Sequence, residues 1–146
     1  DTVARVLEET GLEPRYLELE ITESATSYDP DYIIPVLHEL KKLGVSIAID
    51  DFGTEYSSLS RLKELPVDRI KIDIRFVQSI TESDKDEAIA RTVVQLAKNL
   101  RLNVTAEGVE TETQFQFFGS QMCDEVQGFY FFKPMPAAEV ETILVG

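Results

Sequence analysis

Residues 45–51 read Val-Ser-Ile-Ala-Ile-Asp-Asp (VSIAIDD), and this stretch decides the fold. A run so short and apolar, entered from Gly44 and closed by Asp50 and Asp51, predicts a buried strand. A strand of this kind belongs to a parallel sheet covered by helices. Upstream, Asp29-Pro30 opens a predicted helix over about 30–43, with Ile33, Ile34, Leu37 and Leu40 on one face and Gly44 as its stop. Before that, YLELEIT (16–22) alternates Leu and Glu and ends in Ile-Thr, a strand, and TVARVLEET (2–10) is a helix capped by Gly11.

Downstream the alternation continues. Residues 56–64 read as helical and are ended by Pro66, followed by a strand at 69–74. A helix at about 84–100 has an acidic start (Asp84, Asp86, Glu87) and a cationic end (Lys98, Arg101), the order that suits the helix dipole. Then come a strand at 103–106, a helix at 111–119, a strand at 125–129 and a helix at 136–144. Strand followed by helix, five times over, predicts an α/β fold with a parallel sheet. Two architectures satisfy this: an open doubly wound sheet and a (β/α)8 barrel. No GxGxxG or P-loop follows any strand, which weakens the nucleotide-binding open sheet. A barrel takes eight strands and typically about 250 residues. The expectation is therefore a partial TIM-type (β/α) barrel of about five βα units, one unit over residues 1–146. Asp1, an unusual first residue, predicts further chain upstream.

The 146 residues contain no apolar run of bilayer-spanning length and no signal-peptide pattern at the start. The single cysteine, Cys123, has no Cys or His cluster around it, so it reads as a small packing residue in a reducing, cytoplasmic setting rather than as a zinc ligand. The formal net charge of -13 argues against duplex nucleic acid as a partner.

Polar residues gather at strand ends. Glu20 and Glu23 close the first strand, Asp50 and Asp51 the second, Lys71 and Asp73 lie on the third, Glu107 and Glu110 end the fourth, and Gln127 belongs to the fifth. In a barrel, the C-terminal ends of the strands form the mouth where catalytic side chains converge. An acid after a strand also caps the next helix, and Asp51 alone reads equally well as a cap. Lys71 between Ile70 and Ile72 is harder to place without a partner. The all-oxygen set of carboxylates suits hard divalent cations such as Mg2+ or Mn2+, and a two-ion site clamps the attacking and leaving oxygens of a phosphoryl displacement.

The strings LELEITES (17–24), IAIDDFGTEYSSLSRL (47–62), LPVDRIKID (65–73), VTAEGVET (104–111) and DEVQGFYFFKP (124–134) are similar, in order, to successive motifs of the EAL domain family, the cyclic di-GMP-specific phosphodiesterases. The resemblance runs from Thr10 to about Glu139. It implies metal-dependent hydrolysis of one phosphodiester bond of cyclic di-GMP, giving linear pGpG, in bacterial second-messenger signalling. It implies Glu20 and Asp50 as metal ligands, with Asp50 bridging two ions, and Asp51 and Glu107 around the second ion. Lys71 matches the lysine that holds the attacking water or a phosphate oxygen. Glu23 resembles the residue that braces the loop after Asp51, Gln127 a polar residue of the rim, Glu110 and Asp73 support for loop or substrate. The resemblance also implies an attached sensory or GGDEF module, in a parent protein that membrane anchoring would suit.

Three departures accompany the resemblance. The Glu-Ala-Leu motif and an early Asn, both metal ligands in the family, are expected upstream of Asp1, so the chain alone is predicted to bind metal poorly and to hydrolyse negligibly. Glu55 stands where the family usually has Gly (DFGTEYSS). Arg75 follows Ile74, one place later than the family's basic residue, which on an extended segment turns it to the opposite face, and it receives no role. Beside the enzyme stands a second reading, a degenerate EAL domain that binds cyclic di-GMP or a partner without cleaving it. A third is a structural fragment whose unpaired sheet edges predict a homodimer.

Overall fold

The computed structural model describes residues 2–53 and 62–145. Glu55, and the predicted 56–64 helix up to residue 61, lie outside the described residues. Helix α1 (Thr2–Thr10) and a 3-10 turn (Pro14–Tyr16) lead into strand β1 (Glu18–Thr22). Next come α2 (Glu23–Tyr28), α3 (Pro30–Lys42) and β2 (Ser46–Phe52). Strand β3 (Arg69–Ile72) is followed by α4 (Ile74–Ser79) and α5 (Asp84–Asn99). The chain continues as β4 (Asn103–Glu107), α6 (Glu112–Ser120), β5 (Glu125–Gln127) and α7 (Ala137–Val145).

The strands pair in parallel in the order β1-β2-β3-β4-β5. That order separates the two candidate architectures. A doubly wound sheet reverses its strand order at a switch point. Among the described strands each one lies beside its predecessor, as in a sheet winding toward a barrel.

Alternation along the strands divides the sheet into two faces. Ile47, Ile49, Ile70, Ile72, Val104 and Ala106 point to one side and join Leu37, Val77, Val94 and Phe118 from the helices in a single apolar cluster. Each such side chain, fully buried, contributes about 1.5–3 kcal/mol. Helix α5 presents Ala90, Val93, Val94 and Ala97 to it, the spacing of one helical face. Its Ser83 cap accepts a hydrogen bond from the Asp86 amide at 3.2 Å. The other face of the sheet carries Glu18, Glu20, Asp50, Arg69, Lys71, Thr105 and Glu107.

At the N-terminal ends of the strands one device occurs twice. Asp68 accepts from the Ile47 amide at 2.8 Å and pairs with Lys41 at 2.7 Å. Asp124 accepts from the Val104 amide at 2.7 Å and pairs with Lys98 at 2.5 Å. In each case a residue just before one strand ties down the start of the strand before it and the end of a covering helix.

Three sequence expectations are corrected here. The third strand stops at Ile72 rather than 74, because Asp73 caps α4 by accepting from the Arg75 amide at 2.7 Å. Arg75 is therefore helical, and the extended-segment argument about its facing does not apply. The fifth strand ends at Gln127 rather than 129, where the Val109 amide takes the Gln127 carbonyl at 3.0 Å and the chain turns away.

Candidate functional site

The second strand does not stop before its acids. Ile49 pairs with Ile70 and Phe52 with Ile72, so β2 spends one residue more than β3 over this interval. The extra residue is a β-bulge, and Asp51 sits in it with φ 56°. Ile47, Ile49 and Phe52 all face the apolar cluster. Without the bulge, Asp50 and Asp51 would point to opposite faces. With it, oxygens of Asp50, Asp51 and Glu107 lie within 4.8 Å of one another.

Lys71 stands in the middle of the polar face. Its ammonium is 2.6 Å from Glu20, 2.7 Å from Glu107 and 3.5 Å from Asp50, so it joins carboxylates from β1, β2 and β4. The Lys71 side chain is only 7% exposed, whereas Glu20 is 47% exposed, which leaves the cluster open on the Glu20 side. Burial alone would lower the Lys71 pKa, but the hydrogen bonds it donates to Glu107 and Glu20 outweigh it and hold the ammonium firmly charged. Burial pushes the Glu107 carboxyl above its ordinary value, and Lys71 draws it only part of the way back because Asp50 and Glu20 add repulsion. Lys71 and Glu107 are thus raised for different reasons: Lys71 faces anions only, Glu107 faces a cation and two anions.

Around this centre the remaining predicted residues take distinct places. Glu23, 2% exposed at the start of α2, accepts from the Gly53 amide at 3.0 Å and so holds the segment after Asp51. Asp73, 5% exposed, caps α4 and accepts from Arg75 Nε at 2.9 Å. Burial would raise the Asp73 pKa, but the Arg75 guanidinium and amide lower it overall. Desolvation, the charge of Asp50 and a hydrogen bond to Asp73 raise the Asp51 carboxyl. Gln127 lies opposite Glu107 in the β4–β5 register, with its side chain exposed. Glu110 is exposed on the α6 side, 3.5 Å from Gln78, and the structure does not bring it to Lys71.

Sequence reasoning missed Arg69. It reaches Glu18 at 2.9 Å, Thr105 at 2.8 Å and Glu125 at 2.8 Å, one layer below Lys71 on the same face. The signal was present: Glu18 and Glu20, Arg69 and Lys71, Thr105 and Glu107 are each two residues apart, the period of one strand face. Helix α4 was missed too. Its Ile74 occupies the space that a side chain at Gly108 would need, and its Phe76 ring lies against Gly53. Cys123 is half-buried with its thiol on the Val104 and Glu125 carbonyls, and burial pushes its pKa up to about 11, which fits a packing role.

The EAL domain model matches residues 1–134. The chain belongs to the EAL domain family. It is 46% identical over 144 residues to the cyclic di-GMP phosphodiesterase NbdA of Pseudomonas aeruginosa, covering 99% of this chain and 18% of that protein. Among solved EAL structures, it is similar to the PaMucR phosphodiesterase in complex with c-di-GMP, with TM-score 0.93 and 44% identity over 96% of this chain and 57% of that one. BlrP1 of Klebsiella pneumoniae, solved as calcium and manganese complexes with cy-diGMP, superposes with TM-score 0.84 at 36% identity, over 91% of this chain and 34% of that one. The chain thus spans under a fifth of NbdA and under two thirds of the PaMucR chain. In this chain the oxygens of Asp50, Asp51 and Glu107 form an acidic group close enough together to hold a metal ion. Among the described residues no helix is long and apolar enough to cross a membrane.

Proposed function

We propose that the EAL domain containing this chain is a divalent-cation-dependent phosphodiesterase that hydrolyses cyclic di-GMP to linear pGpG. The observation that carries the reading is one carboxylate cluster on the polar face of the sheet, in which Glu20, Asp50 and Glu107 meet the buried Lys71 and Asp51 closes on Asp50 and Glu107. Four carboxylates repel a phosphodiester, so this rim suits an anion only when cations intervene. The donor set is all oxygen, with three groups close enough to share an ion, and it fits Mg2+ or Mn2+. Glu20 and Asp50 would hold one cation and Asp51 and Glu107 a second, with Asp50 common to both. Bound there, the cations supply positive charge to the phosphodiester and lower the pKa of water.

The chain's own residues do the rest. Lys71 offers its ammonium to the attacking water or to a non-bridging phosphate oxygen. Glu23 fixes the loop after Asp51 through the Gly53 amide, and Gln127 contributes a polar rim. Water adds across one P–O bond, leaving a 5′-phosphate on one guanosine and a free 3′-hydroxyl on the other.

The test is chromatographic conversion of cyclic di-GMP to pGpG by the complete domain in Mn2+, beside Glu107→Gln. Conversion that falls a hundredfold or more in the variant is the expected result, by analogy with the loss of a transition-state charge contact. Tight binding of cyclic di-GMP without turnover in either Mg2+ or Mn2+ overturns the enzyme and leaves a receptor.

A further inference from the structure

Lys71 makes contacts that a metal-site lysine need not make. Its ammonium sits at hydrogen-bond distance from Glu20 and Glu107 and within ion-pair distance of Asp50. Two of these, Asp50 and Glu107, are also members of the carboxylate set able to hold an ion. One internal cation therefore shares its anionic partners with the external cation that the site suits. A lone pair on Glu107 Oε1 taken up by Lys71 at 2.7 Å is not free for a metal on the same side. Nor is this a loose surface pairing: the lysine is almost fully enclosed and cannot swing into solvent without leaving three carboxylates together.

We propose that Lys71 is a built-in placeholder for the divalent cation: it holds the carboxylates in place before loading, and the entering ion displaces it from Glu107 or Glu20. The proposal rests on the divalent-cation reading above. It adds an order to the site's operation. Without the ion, the ammonium is spent on protein carboxylates. With the ion, the same ammonium is released toward the phosphate, so the lysine serves substrate only in the loaded site. A cation competing at about 4 Å, even at the high effective dielectric of an open site, costs the incoming ion an order of magnitude or more in affinity.

The distinguishing consequence is the sign of one mutation. A lysine that merely supports the site weakens metal binding when removed, whereas a competitor strengthens it. The experiment is Mn2+ binding to the complete domain, read from the EPR signal of free Mn2+, for wild type, Lys71→Met and Glu107→Gln, with thermal unfolding with and without Mn2+ in parallel. Expected are about tenfold tighter binding in Lys71→Met, weaker binding in Glu107→Gln, and a larger Mn2+-induced rise in Tm for Lys71→Met than for wild type. If Lys71→Met unfolds without metal, refolding on Mn2+ addition supports the proposal, and failure to refold, together with unchanged or weaker Mn2+ binding by Lys71→Gln, overturns it. Equal or weaker binding by folded Lys71→Met sinks the placeholder and leaves the metal site standing. Binding by none of the proteins sinks the metal site and the placeholder with it.

Discussion

Gly108→Ala tests whether α4 braces the site. Gly108 directly follows Glu107 and has φ 71°, a conformation in which a Cβ meets the following carbonyl. A Cβ placed there lies 2.1 Å from Ile74 Cγ1 and 2.5 Å from Ile74 Cδ1, far inside van der Waals contact. Two costs combine. The left-handed backbone costs a non-glycine residue about 1–2 kcal/mol. Forcing a methyl into occupied space costs about 1–3 kcal/mol. Gly108→Ala is therefore expected to lose about 2–5 kcal/mol, read as a lower urea midpoint at unchanged m-value. The two parts separate in a double-mutant cycle. Ile74 is 41% exposed, so Ile74→Ala alone costs only about 1 kcal/mol. Combined with Gly108→Ala it removes the clash, and the pair is expected to be more stable than the sum of the singles by about 1–2 kcal/mol. A Gly108→Ala protein within about 0.5 kcal/mol of wild type refutes the bracing. So does strict additivity with Ile74→Ala.

Two further expectations concern charge. The Asp124 carboxyl, despite a desolvation penalty that raises it, is held below its ordinary value of 3.8 by Lys98 and the Val104 amide. A lowered folded pKa means stability that is full above the unfolded value and lost as pH falls through the folded one. Asp124→Asn is accordingly expected to cost about 1–3 kcal/mol at pH 7, with the gap to wild type closing below pH 3.8 in urea titrations. A gap that widens toward acid contradicts the tie. Asp51 has the opposite sign: its folded pKa is raised by desolvation, Asp50 and Asp73, so its ionised form burdens the fold above that pKa and not below the unfolded one. Asn tolerates the positive φ of this position, and Asp51→Asn is expected to stabilise the fold at pH 7 by under about 1 kcal/mol, seen as a slightly higher Tm, a gain that vanishes in acid. A lowered Tm at pH 7 counts against it.

Sequence pattern carried the outer half of this molecule. Ile47 and Ile49 of VSIAI, Ile70 and Ile72 of the third strand, and Ala90, Val93, Val94 and Ala97 of the 84–100 helix fall on the buried face, because a fixed period of two or 3.6 maps directly onto burial. Lys71 was legible as the hub of a carboxylate cluster for the converse reason: a cation between two isoleucines has no apolar explanation. What remained hidden depended on breaks in periodicity. The bulge at Asp51 turns two adjacent acids to one side, and nothing in the residue names announces an extra residue relative to β3. The strand reads on to Ile74, the first residue of α4, because Ile72 and Ile74 keep the alternation, while the decisive event is the Asp73 side chain accepting from the Arg75 amide. Arg69 was passed over since its partners Glu18, Thr105 and Glu125 lie on three other strands, and a pattern within one strand does not identify cross-sheet partners.

The distribution of charge along the strands separates stability from chemistry. At the N-terminal ends two aspartates each have a cationic partner and a backbone amide as well: Asp68 with Lys41 and Ile47, Asp124 with Lys98 and Val104. At the C-terminal ends one lysine answers for Glu20, Asp50 and Glu107 together, and Asp51 is pushed toward its protonated form. A sheet selected for stability alone would place apolar residues there, since a buried charge cluster rarely outcompetes a hydrophobic one of similar volume. The excess of negative charge suits the entry of a cation proposed above, and it sits at the end of the strands where Glu23, α4 and the bulge position the side chains. Instability is thus confined to the rim that has to exchange partners, while the opposite rim keeps the strands in register as it does so.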